Sequence, residues 1–201
     1  MSQELILNNL KIIWLGHAGF RIEAGGRVVY IDPYQITNGP KADLILCTHS
    51  HFDHQDEKSI KALSKEETEV LIGGENIKEG EEKQISEIKV KAVPAYNLKK
   101  HFHPRGAGVG FVIEITGKKI YHAGDTDVIP EMENLKDQID LALLPIGGTY
   151  TMDIKEAVEA VKMIEPKIAV PMHYGTLKET IADPEEFKKL VGLICEVKIL
   201  D

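Results

Sequence analysis

Cysteine is scarce in this chain: Cys47 and Cys195 are the only two among 201 residues. That is too few for a disulfide framework and fits a reducing compartment. Basic residues are in the minority too, 24 Lys and Arg against 32 Asp and Glu, for a net charge of -8. A protein that tracks a phosphate backbone normally shows a basic face, so nucleic acid is not an expected partner. Long apolar runs are missing, none approaching the roughly 20 residues needed to cross a bilayer. The opening stretch MSQELILNNL carries an acid and no basic segment, and Asn8 and Asn9 break its apolar run, so a signal peptide is not expected. No Ser/Pro/Gly-rich linker, low-complexity tract or fixed-period repeat divides the chain. What remains is the expectation of a cytoplasmic protein, one domain over residues 1–201, acting on a small molecule away from membranes. A homo-oligomer is left open.

Apolar content of 43% and charged content of 28% are ordinary for a folded domain. LKIIWLG reads as a strand, and FRIEAGGRVVYID as two strands joined at Gly25-Gly26, the dipeptide of a tight hairpin. ADLILCT is continuously apolar, as suits a strand covered on both faces, and it ends at His49. A helical pattern follows in DEKSIKALSKE, then strands in EVLIG, ISEIKVKAVPAY and GVGFVIEI, the last continuing through Gly117 into KKIYHAG as a hairpin. Thereafter strand and helix alternate: IDLALLPI, MDIKEAVEAVKMIEP, KIAVPMH, DPEEFKKLVGL and CEVKIL. Asp153 and Asp183 stand as N-caps of the two helices, with Pro166 after the first and Pro184 in the first turn of the second. The pattern predicts an α/β architecture of two sheets flanked by helices.

The stretch CTHSHFDH places His49, His51, Asp53 and His54 within a few positions of one another in a chain of only eight histidines. His49 and His51, two apart at a strand end, leave the same face and can grip one ion, while Asp53 and His54 lie where the chain turns towards a second position. Imidazole and carboxylate donors suit zinc, with manganese, nickel or iron as alternatives. Adjacent residues cannot surround an ion, so further donors are required. Asp125 in YHAGDTD and His173 in VPMHYGT stand at the carboxyl ends of other predicted strands.

These stretches, in this order and over nearly the whole chain, resemble the metallo-β-lactamase fold. WLGHAGF and YIDPY narrow the resemblance to small bacterial and archaeal metal-dependent hydrolases similar to ascorbate-phosphate lactonase. The resemblance implies a four-layer αβ/βα sandwich of two mixed β-sheets, holding one or two divalent ions. It implies that His49 and His51 bind the first ion, that Asp53, His54 and His173 bind the second, and that Asp125 bridges them. Asp32 resembles the family's carboxylate bracing the histidine loop from beneath; the alternative is a turn residue before Pro33.

One position departs from the family pattern. A third histidine for the first ion usually follows the strand that here reads VKAVPAYN, and Asn97 stands in its place. Asn97 itself, His101 or His103 from NLKKHFHPRG, or His17 are the candidates to complete that ion, unless it is only partly filled. Lys100 and Arg105 in the same loop are candidates to hold an anionic substrate, Gly148 to offer its N–H to an oxyanion, and Tyr174 to contact substrate. A solvated loop, a turn and packing are their plainer readings. His122 is expected in the core.

The chemistry implied is metal-assisted hydrolysis of an ester, lactone, amide or phosphodiester, of a small and anionic compound, with Asp53 orienting the attacking water. Two alternatives stay open: iron-dependent thiol or oxygen chemistry on the same fold, and a non-catalytic metal-binding protein. Loops 33–41, 97–108 and 145–152 would shape the pocket.

Overall fold

A computed structural model describes residues 3–201. Six strands make the first sheet in sequence order: β1 (Glu4–Leu7), β2 (Leu10–Gly16), β3 (Gly19–Ala24), β4 (Arg27–Ile31), β5 (Leu44–Cys47) and β6 (Glu69–Ile72). Seven more follow: β7 (Glu82–Ile85), β8 (Ile88–Pro94), β9 (Val109–Ile115), β10 (Lys118–His122), β11 (Leu141–Pro145), β12 (Ile168–Met172) and β13 (Glu196–Val197), lying side by side in the second sheet. The helices are α1 (Glu57–Leu63), a 3-10 turn at Pro130–Leu135, α2 (Ile154–Ile164) and α3 (Pro184–Val191).

Both sheets are mixed, as expected. β1 to β4 pair antiparallel, and β4, β5 and β6 run parallel. In the second sheet β7 to β10 are antiparallel, while β10 to β13 run parallel. Gly25 and Gly26 both take positive φ, 58° and 77°, making the β3–β4 turn of the kind whose twist matches its strands. The short β1, β7 and the 3-10 turn were not expected from the sequence. Asn8 and Asn9, which break the apolar run, are the turn of the β1–β2 hairpin. CEVKIL contributes only Glu196–Val197 to the sheet.

β5 shows why its sequence is apolar throughout. Leu44 and Leu46 join the core between the sheets, while Ile45 and Cys47 face Leu63 of α1 on the outside. Across the central core, Phe20 and Ile22 of the first sheet join Phe111, Ile113 and Tyr121 of the second. α2 buries Ala157, Val161 and Ile164 against that core, and α3 adds Phe187. The layers are therefore helix, sheet, sheet, helix. Asp153 caps α2, accepting from Glu156 N while its own N–H donates to the Glu156 carboxylate, and Asp183 caps α3, both as the sequence indicated.

This topology positions the candidate residues. Asp32 follows β4, His49 follows β5 by one residue, Asp125 follows β10, and His173 follows β12, all at carboxyl ends of parallel strands. Two close approaches press these ends together. The Gly73 N–H donates to Cys47 O at 2.8 Å, and a Cβ on Gly73 would strike Thr48 O and lie 2.7 Å from Val109 Cγ2. Gly108 backs directly onto His49, where a Cβ would lie 2.7 Å from that of the histidine.

Two stability predictions arise here. Gly73→Ala is expected to cost about 1–3 kcal/mol through overpacking, read as a lower urea midpoint at unchanged m-value. Asp140 accepts from Lys119 N at 3.0 Å, Lys118 Nζ at 3.2 Å and Lys167 Nζ at 2.8 Å. Burial opposes its ionisation, but Lys167 and the Lys119 amide outweigh it and hold the carboxyl below the usual range. The stability it gives is therefore present at neutral pH and lost as pH falls through its lowered pKa. Asp140→Asn should melt lower than the parent at pH 7, the gap closing in strong acid.

Candidate metal centre

Eight of the ten sequence positions read as ligands or ligand candidates converge, and they form overlapping groups. His49, His51 and His103 each bring a donor atom within 4.8 Å of the others; so do His17, Asp53, His54 and His173; so do His49, His54 and Asp125. Asp125 lies between the first two groups. Its Oδ2 is 3.1 Å from His173 Nε2 and 3.4 Å from His103 Nε2, and its Oδ1 is 3.4 Å from His54 Nε2.

The rings are aimed by bonds on their far sides. The buried Asp32 carboxylate accepts from Thr48 N and Thr48 Oγ1, both at 2.7 Å, and from His54 Nδ1 at 2.7 Å. His54 therefore carries a proton on Nδ1 and aims Nε2 at the centre. His49 Nδ1 lies 3.0 Å from Thr48 Oγ1, whose own proton goes to Asp32, so it too is turned with Nε2 inward. Asp32 thus braces the loop and is no mere turn residue.

Three of these residues sit in strained backbone. Asp32, His17 and His173 have φ of 44°, 53° and 57°, a left-handed conformation costing on the order of 1–3 kcal/mol for a residue with a side chain. Two of them hold each other: the His173 N–H donates to His17 O at 2.8 Å, joining the carboxyl ends of β2 and β12. Trp14 Nε1 donates to the same oxygen at 3.0 Å. His17 Nε2 in turn meets Asp53 Oδ2 at 3.0 Å.

Charge in the cluster is finely divided. Burial holds the pKa of His49 far down, and lowers those of His17 and His103. His54 goes the other way: burial opposes its charge, but Asp125 and Asp32 outweigh burial and raise it well above the usual histidine value. Burial likewise opposes ionisation of Asp125, which His173 and His54 nevertheless keep well below the carboxylate range. For Asp53 the His17 hydrogen bond overcomes burial in the same direction.

The donors fit a divalent ion. His54 Nε2, His173 Nε2 and Asp125 Oδ1 are buried without a hydrogen-bond partner among the described residues, and each such orphan costs about 1–3 kcal/mol. Bare nitrogens facing a carboxylate need positive charge between them. His49 Nε2 and His103 Nε2 lie 3.0 Å and 3.3 Å from His51 Nδ1. A tetrahedral site with Zn–N near 2.0–2.1 Å sets its nitrogens about 3.3 Å apart.

Several sequence candidates find other places. Asn97 does not enter the cluster. Its Oδ1 accepts from the His103 N–H at 3.0 Å and faces His103 Nδ1 at 3.1 Å, while its Nδ2 donates to Asp127 Oδ1 and Tyr150 O. The residue standing where the family has histidine aims the histidine six positions on. His17 joins the group of Asp53, His54 and His173 and not that of His49 and His51. His101 is exposed. Lys100 Nζ sits 2.7 Å from Asp127 and 3.5 Å from Glu156, and Arg105 is engaged by Glu79 and Glu131 and lies over the Tyr96 ring. Neither cation is left to meet an anion, because carboxylates of this acidic chain have claimed both. The Gly148 N–H donates to Met152 O at 3.0 Å, which removes it from any oxyanion. Tyr174 stacks on Trp14 at 5.3 Å. His122 is buried and satisfied, donating to Ala18 O at 2.8 Å and accepting from Gly124 N.

Asp127 was missed in the sequence. It collects Asn97, Lys100 and the N–H groups of Leu98 and Lys99, and so fixes the loop that carries His103. Only its place two residues after Asp125 could have hinted at this. A larger groove of about 860 Å³ over β7–β10 and the 3-10 turn is lined by Lys and Glu and contains none of the histidines.

A cluster of this make, at the carboxyl edge of two packed sheets, defines a metal-dependent hydrolase. Residues 11–173 match the family described as the beta-lactamase superfamily domain. The chain belongs to that superfamily, and within it to the UPF0173 metal-dependent hydrolases. Such a hydrolase from Thermoplasma acidophilum is 42% identical over 94% of this chain and 93% of that one. The crystal structure of a chain assigned as a metal-dependent hydrolase from Parabacteroides distasonis superposes with a TM-score of 0.87 at 35% identity, covering 100% of this chain and 98% of that one. A Thermotoga maritima structure, assigned as a zinc-dependent hydrolase of the metallo-β-lactamase superfamily, gives 0.71 at 28% identity, with 94% and 97% covered. No helix among the described residues is long and apolar enough to cross a membrane.

Asn97→Ala is expected to release the His103 ring and weaken binding of one ion about 10–100-fold. Metal titration followed by elemental analysis would register this as one ion lost at limiting metal, the other retained.

Proposed function

We propose that His49, His51 and His103 hold one divalent ion, that His17, Asp53, His54 and His173 hold a second, and that Asp125 lies between them. The site hydrolyses an ester, lactone, amide or phosphodiester. The observation carrying this reading is that His54 Nε2, His173 Nε2 and Asp125 Oδ1 are buried and unpartnered among the described residues, the Asp125 carboxylate lying 3.4 Å from the first nitrogen and 3.1 Å from the second. Zinc is the ion this donor set favours, six imidazoles outnumbering the two carboxylates, with manganese, nickel or iron accommodated by the same atoms. The zinc dependence assigned to the Thermotoga relative supports the choice.

When bound, such ions supply Lewis acidity, enough to make water a nucleophile at neutral pH. The chain's own residues do the rest. Asp53, ionised and steadied by His17, accepts a hydrogen bond from the attacking water and sets its direction; a carboxylate held this acidic is a positioning acceptor and a weak base. Asp32, through Thr48 and His54, keeps the histidine loop from relaxing as charge develops. No side-chain nucleophile is required. Cys47 is buried under α1, and burial pushes its thiol pKa far up. With Lys100 and Arg105 already paired, an anionic group on the substrate is not what this reading needs.

Elemental analysis of protein purified without chelator, followed by assays in that metal on p-nitrophenyl esters, bis-p-nitrophenyl phosphate and lactones, tests the proposal. Asp125→Ala and His54→Ala should each abolish hydrolysis and lower bound metal. Full activity in either would remove the two-ion site.

A further inference from the structure

The cavity against the histidines is small. It offers about 40 Å³ between Phe102, His49, His51, His103, Gly108 and Asp125. A water occupies on the order of 10–15 Å³ by this measure, so the cavity takes a reacting group and its water and little more. The body of any substrate must lie outside, on the rim.

Aromatic rings flank both histidine groups. On one side Tyr34 lies 6.1 Å from the His17 ring and packs edge-on to Phe52 at 5.9 Å. On the other, Phe102 lies 6.5 Å from the His103 ring and packs edge-on to Tyr150 at 4.8 Å. Phe52 is 67% exposed and Phe102 49%, a large apolar area for side chains adjoining Asp53 and His103.

The loops bearing these rings are tied down. Asp56, the cap of α1, accepts from Gln35 N at 2.9 Å, and Ser59 Oγ accepts from Ile36 N at 2.8 Å, fixing the Tyr34 loop. Tyr150 O accepts from Asn97 Nδ2, the same residue that aims His103. Rings held in advance offer contact area at low entropic cost. Lys100 is engaged by Asp127 and Glu156, and Arg105 by Glu79 and Glu131.

We propose that this aromatic collar is a binding subsite for an apolar acyl or aryl group flanking the scissile bond, so that the substrate is an uncharged or hydrophobic ester, lactone or amide. The occupant follows from three facts together: a cavity too small for the whole molecule, aromatic faces beside each of the two histidine groups, and the engagement of Lys100 and Arg105 by carboxylates. The inference rests on the hydrolase reading for the word substrate. The subsite itself is tested by binding.

The test uses the metal-loaded protein and straight-chain alkyl hydroxamates from two to eight carbons, probes whose head group seeks the metal and whose tail seeks the rim. Calorimetric Kd should tighten about two- to fourfold per methylene over the first additions, the upper value matching complete burial. An ω-carboxylate tail of equal length should bind more weakly. In Phe52→Ser/Phe102→Ser protein whose metal content is preserved, the dependence on chain length should flatten. A flat series in the parent, preference for the carboxylate tail, or an unchanged slope in the double variant would each overturn the subsite. Ester turnover is scored separately. Chain-length-dependent binding with no ester cleaved would sink the hydrolase reading and leave the collar standing; ester cleavage with a flat series would do the reverse.

Discussion

Everything at the centre hangs from the carboxylate of Asp32. Fully buried at the end of β4, it would be costly as an isolated charge. It is tolerated because two donors from Thr48 and one from His54 satisfy it. Those bonds lock the chain leaving β5, so that His49 and His54 both turn Nε2 towards the centre. The carboxylate also sets the tautomer of His54. The paired carboxylates of Asp32 and Asp125 then favour positive charge at that ring, as a cation held there would supply.

The two sheets are joined where the chemistry would occur. His173 N to His17 O, Val109 N to Thr48 O and His122 to Ala18 O all cross from one sheet to the other near the strand ends. Left-handed backbone at His17, Asp32 and His173 is held at these junctions. The core packed between the sheets supplies the stability that can support such strain, and the strain sets the donors at fixed separations. The centre is consequently a property of the whole sandwich and not of one loop.

Around it, the acidic surplus has a local consequence. The loop 97–108 looks basic in sequence, yet its Lys100 and Arg105 close onto carboxylates from four other places in the chain. The pairs serve as clamps on the loop that carries His103, Phe102 and, through Asn97, the Tyr150 carbonyl. Charge that would have read as substrate recognition is used to hold apolar rings and one imidazole in place.

The sequence alone determined most of the strands, the helix caps and the identity of most of the donors. Those signals are local: apolar period, turn dipeptides, Asp before a helix, and His and Asp gathered at strand ends. Only the tertiary structure decided which histidine joins which group. His103 and His17 lie 86 residues apart in sequence, as their numbers show, and their assignment depends on loop paths that no periodicity encodes. The same holds for Asn97, whose short amide can be a ligand or a brace according to where one backbone turn places its oxygen. It holds also for Lys100 and Arg105, since a long charged side chain takes the nearest opposite charge in space, and that neighbour comes from sequence-distant elements.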